Sequence, residues 1–347
     1  MKTLLRPLLK AIACLLMAST SACSSGSLWD IYVYVGGKAY DRGYYTVAET
    51  FSLAAVKEAE QFGSEVPRLA QSLYSLATIY DVQQRYAEAM PTYQRALTIQ
   101  EKVLGPDHRK VAYTLYALAS TYQNQKKYVE AVPLFRRATA IWEKAELGHP
   151  EVGELDRPYV ARSYRQLGDI YRDQGKYAEA ELPLQRALTL QEKISGPDHL
   201  DIVPILHSLG ALYVVEEKYI DAEPLLRRTL ALAEKAYGPD DPSTTATAIN
   251  TLGHLYILGG KYAEAEPLLQ RARTIWGKVY GPDSIPVATV LLNLADLYRG
   301  QGKYAEGEPL YRQSLSIVET RQGLDHTNVA YRLHGLAELY RIQGVYV

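Results

Sequence analysis

Gly260-Lys261-Tyr262-Ala263-Glu264-Ala265-Glu266 is the stretch on which the fold turns, because close copies of it return along the chain at a nearly constant step. Their tyrosines are Tyr86, Tyr128, Tyr177, Tyr219, Tyr262, Tyr304 and, in degenerate form, Tyr346, spaced by 42, 49, 42, 43, 42 and 42 residues. A second phrase keeps the same beat: Gly105-Pro106-Asp107-His108, Gly196-Pro197-Asp198-His199, Gly238-Pro239-Asp240-Asp241, Gly281-Pro282-Asp283-Ser284 and Gly323-Leu324-Asp325-His326. A fixed period of this size means one supersecondary unit copied and stacked, each unit touching only its neighbours. The 347 residues therefore read as an array without a central core.

Residues 161–195 show one copy in full. Ala161, Tyr164, Leu167, Gly168 and Tyr171 fall at helical spacing and form one apolar stripe. Asp173-Gln174-Gly175-Lys176 interrupts it with a turn glycine, and a second stripe follows at Tyr177, Ala180, Leu184, Ala187 and Leu190. The unit is an antiparallel helix pair in which Gly168, Ala180 and Ala187 let the backbones approach.

These residues resemble the tetratricopeptide repeat: Tyr164, Leu167-Gly168, Tyr171, Ala180, Leu184 and Ala187 match its signature at every spacing. Leu209-Gly210, Tyr213, Ala222 and Leu226 follow it, as do Leu252-Gly253, Tyr256, Ala265, Leu269 and Ala272. Ala77, Ala119, Ala295 and Ala337 stand at the glycine position elsewhere. The 42-residue period and the Gly-Pro-Asp-His turn are similar to the kinesin-light-chain type, over roughly residues 43–346. Pro91, Pro133, Pro224, Pro267 and Pro309 take that type's helix proline, with Pro183 one place later. Near a first turn, where amides lack intrahelical acceptors, proline is expected to be tolerated. The resemblance implies an all-α fold, a right-handed α-solenoid of antiparallel helix pairs.

Seven pairs and a final unpaired helix are expected over residues 29–347. The first helix, Trp29 to Arg42, is weakened by Gly36-Gly37 at roughly 1 kcal/mol per glycine; its partner, Tyr45 to Phe62, is strongly patterned. The seven extra residues near Gly148 to Pro158 read as a surface loop, or as a loop reaching a ligand. In the last helix, Asn328 to Gln343, the apolar Leu336, Leu339, Tyr340 and Ile342 suit either a cap or a self-association edge.

Composition fits an ordered protein, 47% apolar and 22% charged, with 29 Tyr against 3 Phe and 3 Trp. Tyrosine suits half-buried positions of thin helical layers, its ring packed and its hydroxyl wet. The net charge is -1, or -4 without residues 1–22 (35 basic against 39 acidic), and no basic stripe points to nucleic acid.

Lys2, Arg6 and Lys10 precede a short apolar core, Ala11 to Ala18, as in an export signal. Thr20-Ser21-Ala22-Cys23 resembles a bacterial lipoprotein signal, except that Thr20 stands where Leu is usual. That resemblance implies a lipid anchor at Cys23, a tether over 23–28, and, from Ser24, the outer membrane, on the periplasmic side of the cell envelope. Cleavage after Ala22 to release a soluble periplasmic protein is the alternative. Beyond Cys23 the mature chain has no thiol, hence no intrachain disulfide and no cysteine nucleophile.

By the family's geometry the concave groove is offered Gln71, Tyr74, Thr78 and Asp81, then Tyr113, Tyr116, Ser120 and Gln123. Arg162, Arg165, Asp169 and Arg172 follow, then His207, Asn250, His254, Asp296, Arg299, Tyr331 and His334. Tyrosine and arginine are the residue types enriched where binding energy concentrates. Tyr74, Tyr113, Tyr116, Arg162 and Arg165 are therefore the candidate anchors for an extended protein or peptide segment with an acidic element; alternatively they are solvated groove residues without a single ligand.

Histidines at 108, 199 and 326 recur at one turn, which implies a helix-start role, and His149 lies in the corresponding turn. No phosphate loop, Gly-x-Ser-x-Gly or His-Glu-x-x-His occurs. The expectation is a non-enzymatic scaffold without cofactor or metal; a self-associating array and a cytoplasmic adaptor are the rivals.

Overall fold

The computed structural model describes residues 27–64, 66–148, 155–323 and 327–344. Residues 1–22, Cys23, the start of the tether, His149, His326 and Tyr346 lie outside them. The described residues are all-α, an α-solenoid of antiparallel pairs. They form α1 (Leu28–Asp41) with α2 (Tyr45–Glu60), α3 (Pro67–Val82) with α4 (Tyr86–Leu104), and α5 (Arg109–Asn124) with α6 (Tyr128–Gly148). Then come α7 (Arg157–Asp173), α8 (Tyr177–Ser195), α9 (Val203–Val215) with α10 (Tyr219–Tyr237), α11 (Thr244–Leu258) with α12 (Tyr262–Tyr280), α13 (Ile285–Gly300) with α14 (Tyr304–Gln322), and α15 (Thr327–Gln343). They gather into two compact units, one running to Ile170 and one from Tyr171.

Within each pair a small residue on the first helix meets a large one on the second. A Cβ on Gly210 would lie 2.7 Å from Leu226 Cδ2, and one on Gly253 would lie 2.8 Å from Leu269 Cδ2. Hydrogen alone fits there. Where the first helix carries Ala77, Ala119 or Ala295, the second offers a flat ring instead, the buried Tyr93, Phe135 or Tyr311. A planar face lies beside a methyl group that a branched leucine would strike.

Several second helices have the same length, 19 residues, and end at Gly105, Gly196, Gly238, Gly281 or Gly323 with φ between 86° and 93°. That left-handed backbone is cheap only for glycine. The turn then restarts a helix by side-chain capping: the Lys110 amide donates to His108 Nδ1 at 3.1 Å and the Asp201 amide to His199 Nδ1 at 3.3 Å. Burial lowers the His108 pKa, which keeps the accepting lone pair available.

The prolines correct one expectation. Pro91 is the sixth residue of α4, as Pro224, Pro267 and Pro309 are of their helices, beyond the first-turn amides that lack partners. Each removes an intrahelical bond, and each sits on the exposed face, where water reaches the carbonyl left over.

Helix α1 is firmer than its glycines suggest. Ser27, assigned above to the tether, caps it, in a reciprocal box with Asp30, while Trp29, Tyr32 and Val35 are buried. Gly36 packs closely on α2: a Cβ there would come 3.4 Å from Phe51 Cβ, at the edge of ordinary contact.

Adjacent pairs are joined by a recurring clasp. The acid ending Tyr-Ala-Glu-Ala-Glu accepts from a tyrosine and a lysine of the next pair. Tyr213 donates to Glu181 at 2.9 Å and Lys218 pairs with it at 3.2 Å; Tyr256 and Lys261 treat Glu223 likewise, at 3.2 and 2.7 Å. Tyr298 donates to Glu266 at 2.8 Å and Tyr340 to Glu308 at 2.7 Å. A second clasp explains the turn proline's neighbours: Arg271 binds Glu234 at 2.6 Å and the Pro239 carbonyl at 2.5 Å, and Arg137 binds Glu101 and the Pro106 carbonyl.

Candidate functional site

The unit ending at Ile170 departs from this regularity. Its clasp position holds Glu49 first, paired with Arg85 at 2.7 Å, but then Met90 and Val132. In place of an acid, α5, α6 and the start of α7 share an aromatic cluster. Tyr113 meets Tyr159 edge-on at 4.7 Å and Trp142 at 5.3 Å; Tyr116 meets Phe135 at 5.5 Å, Tyr159 at 6.0 Å and Trp142 at 6.1 Å. Edge-to-face rings at these separations attract beyond their burial. Trp142 and Phe135 are fully enclosed.

Asp156 ties the inserted stretch to this cluster, a role the sequence did not betray. Its carboxylate, 1% exposed, accepts from Tyr113 at 2.5 Å and from Arg109 at 2.8 Å. Burial, reinforced by the bond to Asp156, pushes the Tyr113 hydroxyl up to about 12. The stretch near Pro158 is therefore not surface loop throughout: Asp156 lies inside, and its carbonyl accepts from the Tyr159 and Val160 amides to start α7. An Asp before Arg-Pro reads as a helix start. Nothing in the sequence says that its side chain selects an arginine 47 positions away.

The unit brings five candidate anchors onto its first helices. Tyr74 on α3 is half-buried against Tyr93 at 5.8 Å, its hydroxyl pushed up to about 12 mainly by burial, with Tyr159 adding to the shift. Tyr116 is raised by burial while Arg165 and Arg162 oppose the rise, so both guanidinium groups act on its hydroxyl. Arg165 pairs with Asp169 at 2.9 Å, and Arg162, exposed, stands over the Tyr159 ring at 5.8 Å. Between α3, α4 and α5 opens a cavity of about 340 Å³ with Tyr74, Tyr113, Gln71 and Lys110 at its lining and Ile99, Val103 and Leu104 among its apolar residues. A smaller one, about 210 Å³, lies between α1 and α3. Tyr113 is less available than expected, since Asp156 holds its hydroxyl.

Arg172, His207, Asn250 and His254 belong to the other unit, where polar groups are spent on one another. Arg172 pairs with Asp173 at 3.1 Å, His207 Nε2 meets Thr251 Oγ1 at 3.1 Å, and Asn250 Oδ1 accepts from Asn293 at 2.8 Å. His254 is half-buried, and burial lowers its pKa against the pull of Asp296. Asp296 itself accepts from Arg299 at 2.9 Å and Tyr311 at 2.5 Å. At the last helix, Leu339 is buried with Leu292 and Tyr311, and Leu336 and Tyr340 pack on it. Those three side chains are used within the stack, while Ile342 stays exposed. Among the described residues no three His, Cys, Asp or Glu side chains approach closely enough to hold a metal ion. No helix among them is long and apolar enough to cross a membrane.

The tetratricopeptide repeat family matches residues 68–144, 244–320 and 286–346 in one form and 160–201 and 205–243 in another. No curated protein matches the chain. A putative kinesin light chain from Podosopora anserina, with nearly identical repeats, is 25% identical, covering 62% of this chain and 98% of its own at a TM-score of 0.50. The apo form of RapI is 18% identical with a TM-score of 0.63, covering 85% of this chain and 98% of its own. Aspartyl phosphate phosphatase F from Bacillus subtilis, 14% identical, covers 94% of this chain and 97% of its own at 0.55. At such identities the last two share the fold alone.

Proposed function

Because the chain belongs to the tetratricopeptide repeat family, whose members generally act as non-enzymatic protein-interaction scaffolds, we propose that it binds a protein or peptide segment along the first helices of its N-terminal unit. Tyr74, Tyr113 and Tyr116 supply rigid contact area, the tyrosine–lysine cavity accepts an apolar side chain, and Arg162 with Arg165 receives an acidic element. One observation carries this reading: an apolar cavity of about 340 Å³ opens between Tyr74 and Tyr113, in the unit whose Arg162 and Arg165 act on the Tyr116 hydroxyl. A pocket of that size with a few polar groups at its lining is the usual form of a recognition site.

The proposal extends to location. Lys2, Arg6, Lys10 and the Thr20–Cys23 box favour export, with acylation of Cys23 anchoring the scaffold on the periplasmic side of the outer membrane. Photocrosslinking capture from native envelope, comparing the intact protein with a Tyr116→Ala/Arg165→Glu variant, tests the groove; partner bands are expected to vanish in the variant. Bands of equal strength, with helical content preserved, would remove the anchors from this surface. Mass spectrometry of the mature N-terminus tests the anchor: an unmodified Cys23 discards it.

A further inference from the structure

The smaller cavity of the N-terminal unit has a chemistry that the acid-binding arginines do not explain. Tyr40, Asp41 and Tyr74 line it, with Gly36, Gly37 and Ser52. Tyr40 is braced edge-on by Tyr45 at 5.7 Å and Tyr74 by Tyr93 at 5.8 Å, so both phenol rings are fixed before anything binds. Asp41 ends α1 and Asp81 stands in the last turn of α3, where unpaired carbonyls already make the helix ends negative. Asp81 is half-buried; it accepts from the Thr121 hydroxyl at 2.8 Å, and it acts on the Tyr40 hydroxyl together with Asp41. Of the cations near the cavity, Arg42 follows Asp41 and is exposed, and the other two have aromatic or acidic partners. Lys38 stands over Tyr34 at 6.0 Å, and Arg85 is bound by Glu49 and Glu88.

Gly37 supplies an independent observation. A Cβ there would meet nothing within 4 Å, in contrast to Gly36, so internal packing gives no reason for a glycine that weakens α1. A bare backbone at the cavity wall leaves room for a visitor. Aromatic rings beside a carboxylate form the environment that attracts an ammonium or guanidinium group.

We propose that this cavity receives a cationic side chain, a lysine or arginine of the bound segment, between the Tyr40 and Tyr74 rings and the Asp41 carboxylate at its lining, with Asp81 adding negative charge from behind Tyr40. It rests on the groove reading for the remainder of the segment but uses different residues from those that take the acid. The bound segment is thereby bipolar, its basic residue near α1 and α3 and its acidic one near α7, which fixes the direction in which it lies.

The test titrates Nα-acetyl-arginine amide and its uncharged counterpart Nα-acetyl-citrulline amide into the full chain by calorimetry at low salt. Saturable binding of the arginine compound is expected, at least ten-fold tighter than citrulline, and weakened at least ten-fold by Asp41→Asn/Asp81→Asn. Gly37→Leu is expected to abolish it while the melting temperature holds or rises. An Arg162→Glu/Arg165→Glu variant keeps this binding while losing its acidic partner, so failure of the acid site and failure of the cation site are separately visible. Equal binding of the two compounds, no binding of either, or binding that survives Gly37→Leu in the folded chain overturns the proposal.

Discussion

The two units solve the same stacking problem differently. From Tyr171 onward every junction repeats one polar device, Glu181, Glu223, Glu266 or Glu308 receiving a tyrosine, with Lys218 and Lys261 adding charge at the first two. Up to Ile170, the positions of Met90 and Val132 lack the acid, and five aromatic rings around Asp156 take over. The regular unit satisfies its groove groups internally, as Asn250 with Asn293 and His207 with Thr251 do. The irregular unit has cavities walled by Tyr74 and, at Asp81, a half-buried carboxylate that accepts from the Thr121 hydroxyl. Departure from the consensus, more than conformity to it, marks where a partner is to be sought.

The sharpest way to break this contrast is Asp156→Ala. Removing one member of a buried charge pair leaves Arg109 and Tyr113 without their acceptor, and a loss of about 3 kcal/mol is expected. Hydrogen exchange should show α5 and the start of α7 losing protection while residues beyond Tyr171 keep theirs. Protection unchanged in α5 would mean that the aromatic rings alone hold the insertion.

A smaller effect tests the pairing of small and large residues. Gly253→Ala forces a methyl group against Leu269 and should cost about 1–3 kcal/mol by overpacking. Adding Leu269→Tyr converts the pair to the alanine–ring combination of Ala77 with Tyr93, and thermal melts should recover part of the loss. A double variant worse than the single one would show that the two combinations are not interchangeable.

The smallest effects are electrostatic and carry opposite signs in the two units. The bond from Tyr213 lowers the Glu181 pKa, and the Lys261 contact lowers that of Glu223, so both fall below the ordinary 4.5. Their stabilisation is complete above pH 4.5 and fades as pH falls through the lowered folded values. Burial raises Asp81 above its ordinary 3.8, so its term is fully favourable below that pH and is lost as pH rises through the raised value. Acidification should therefore loosen the clasps first, and Asp81→Asn should stabilise the N-terminal unit at neutral pH. Installing the missing acid by Met90→Glu, opposite Tyr122 and Lys127, should add about 0.5 kcal/mol. Chemical denaturation across pH values reads all three; a destabilising Asp81→Asn would contradict the burial argument.

Much of this was legible in the residues themselves. The period gives the helix pairs, the glycine–leucine and alanine positions give their approach, and repetition marks His108 and His199 as helix starters. Even the missing acids at Met90 and Val132 could be read from the alignment of the copies. Two matters were not legible. Proline tolerance was ascribed to the first turn, whereas Pro91 lies beyond it and survives through solvation of an exposed carbonyl. Asp156 was hidden because a contact between distant positions has no periodic trace; only one copy contains it, and a pattern repeated once is no pattern.

The shared 19-residue length of α8, α10, α12 and α14 has a consequence for how such a chain can change length. Cutting out residues 219–261 would join Lys218 to Tyr262 and set Gly210 opposite Leu269, a combination already in use. Glu181 would keep its phenol and amine donors, and no seam would present an unfamiliar surface. The C-terminal unit can thus be shortened or extended by whole modules like a telescoping spacer, whereas the same excision across Asp156 would leave a charge stranded.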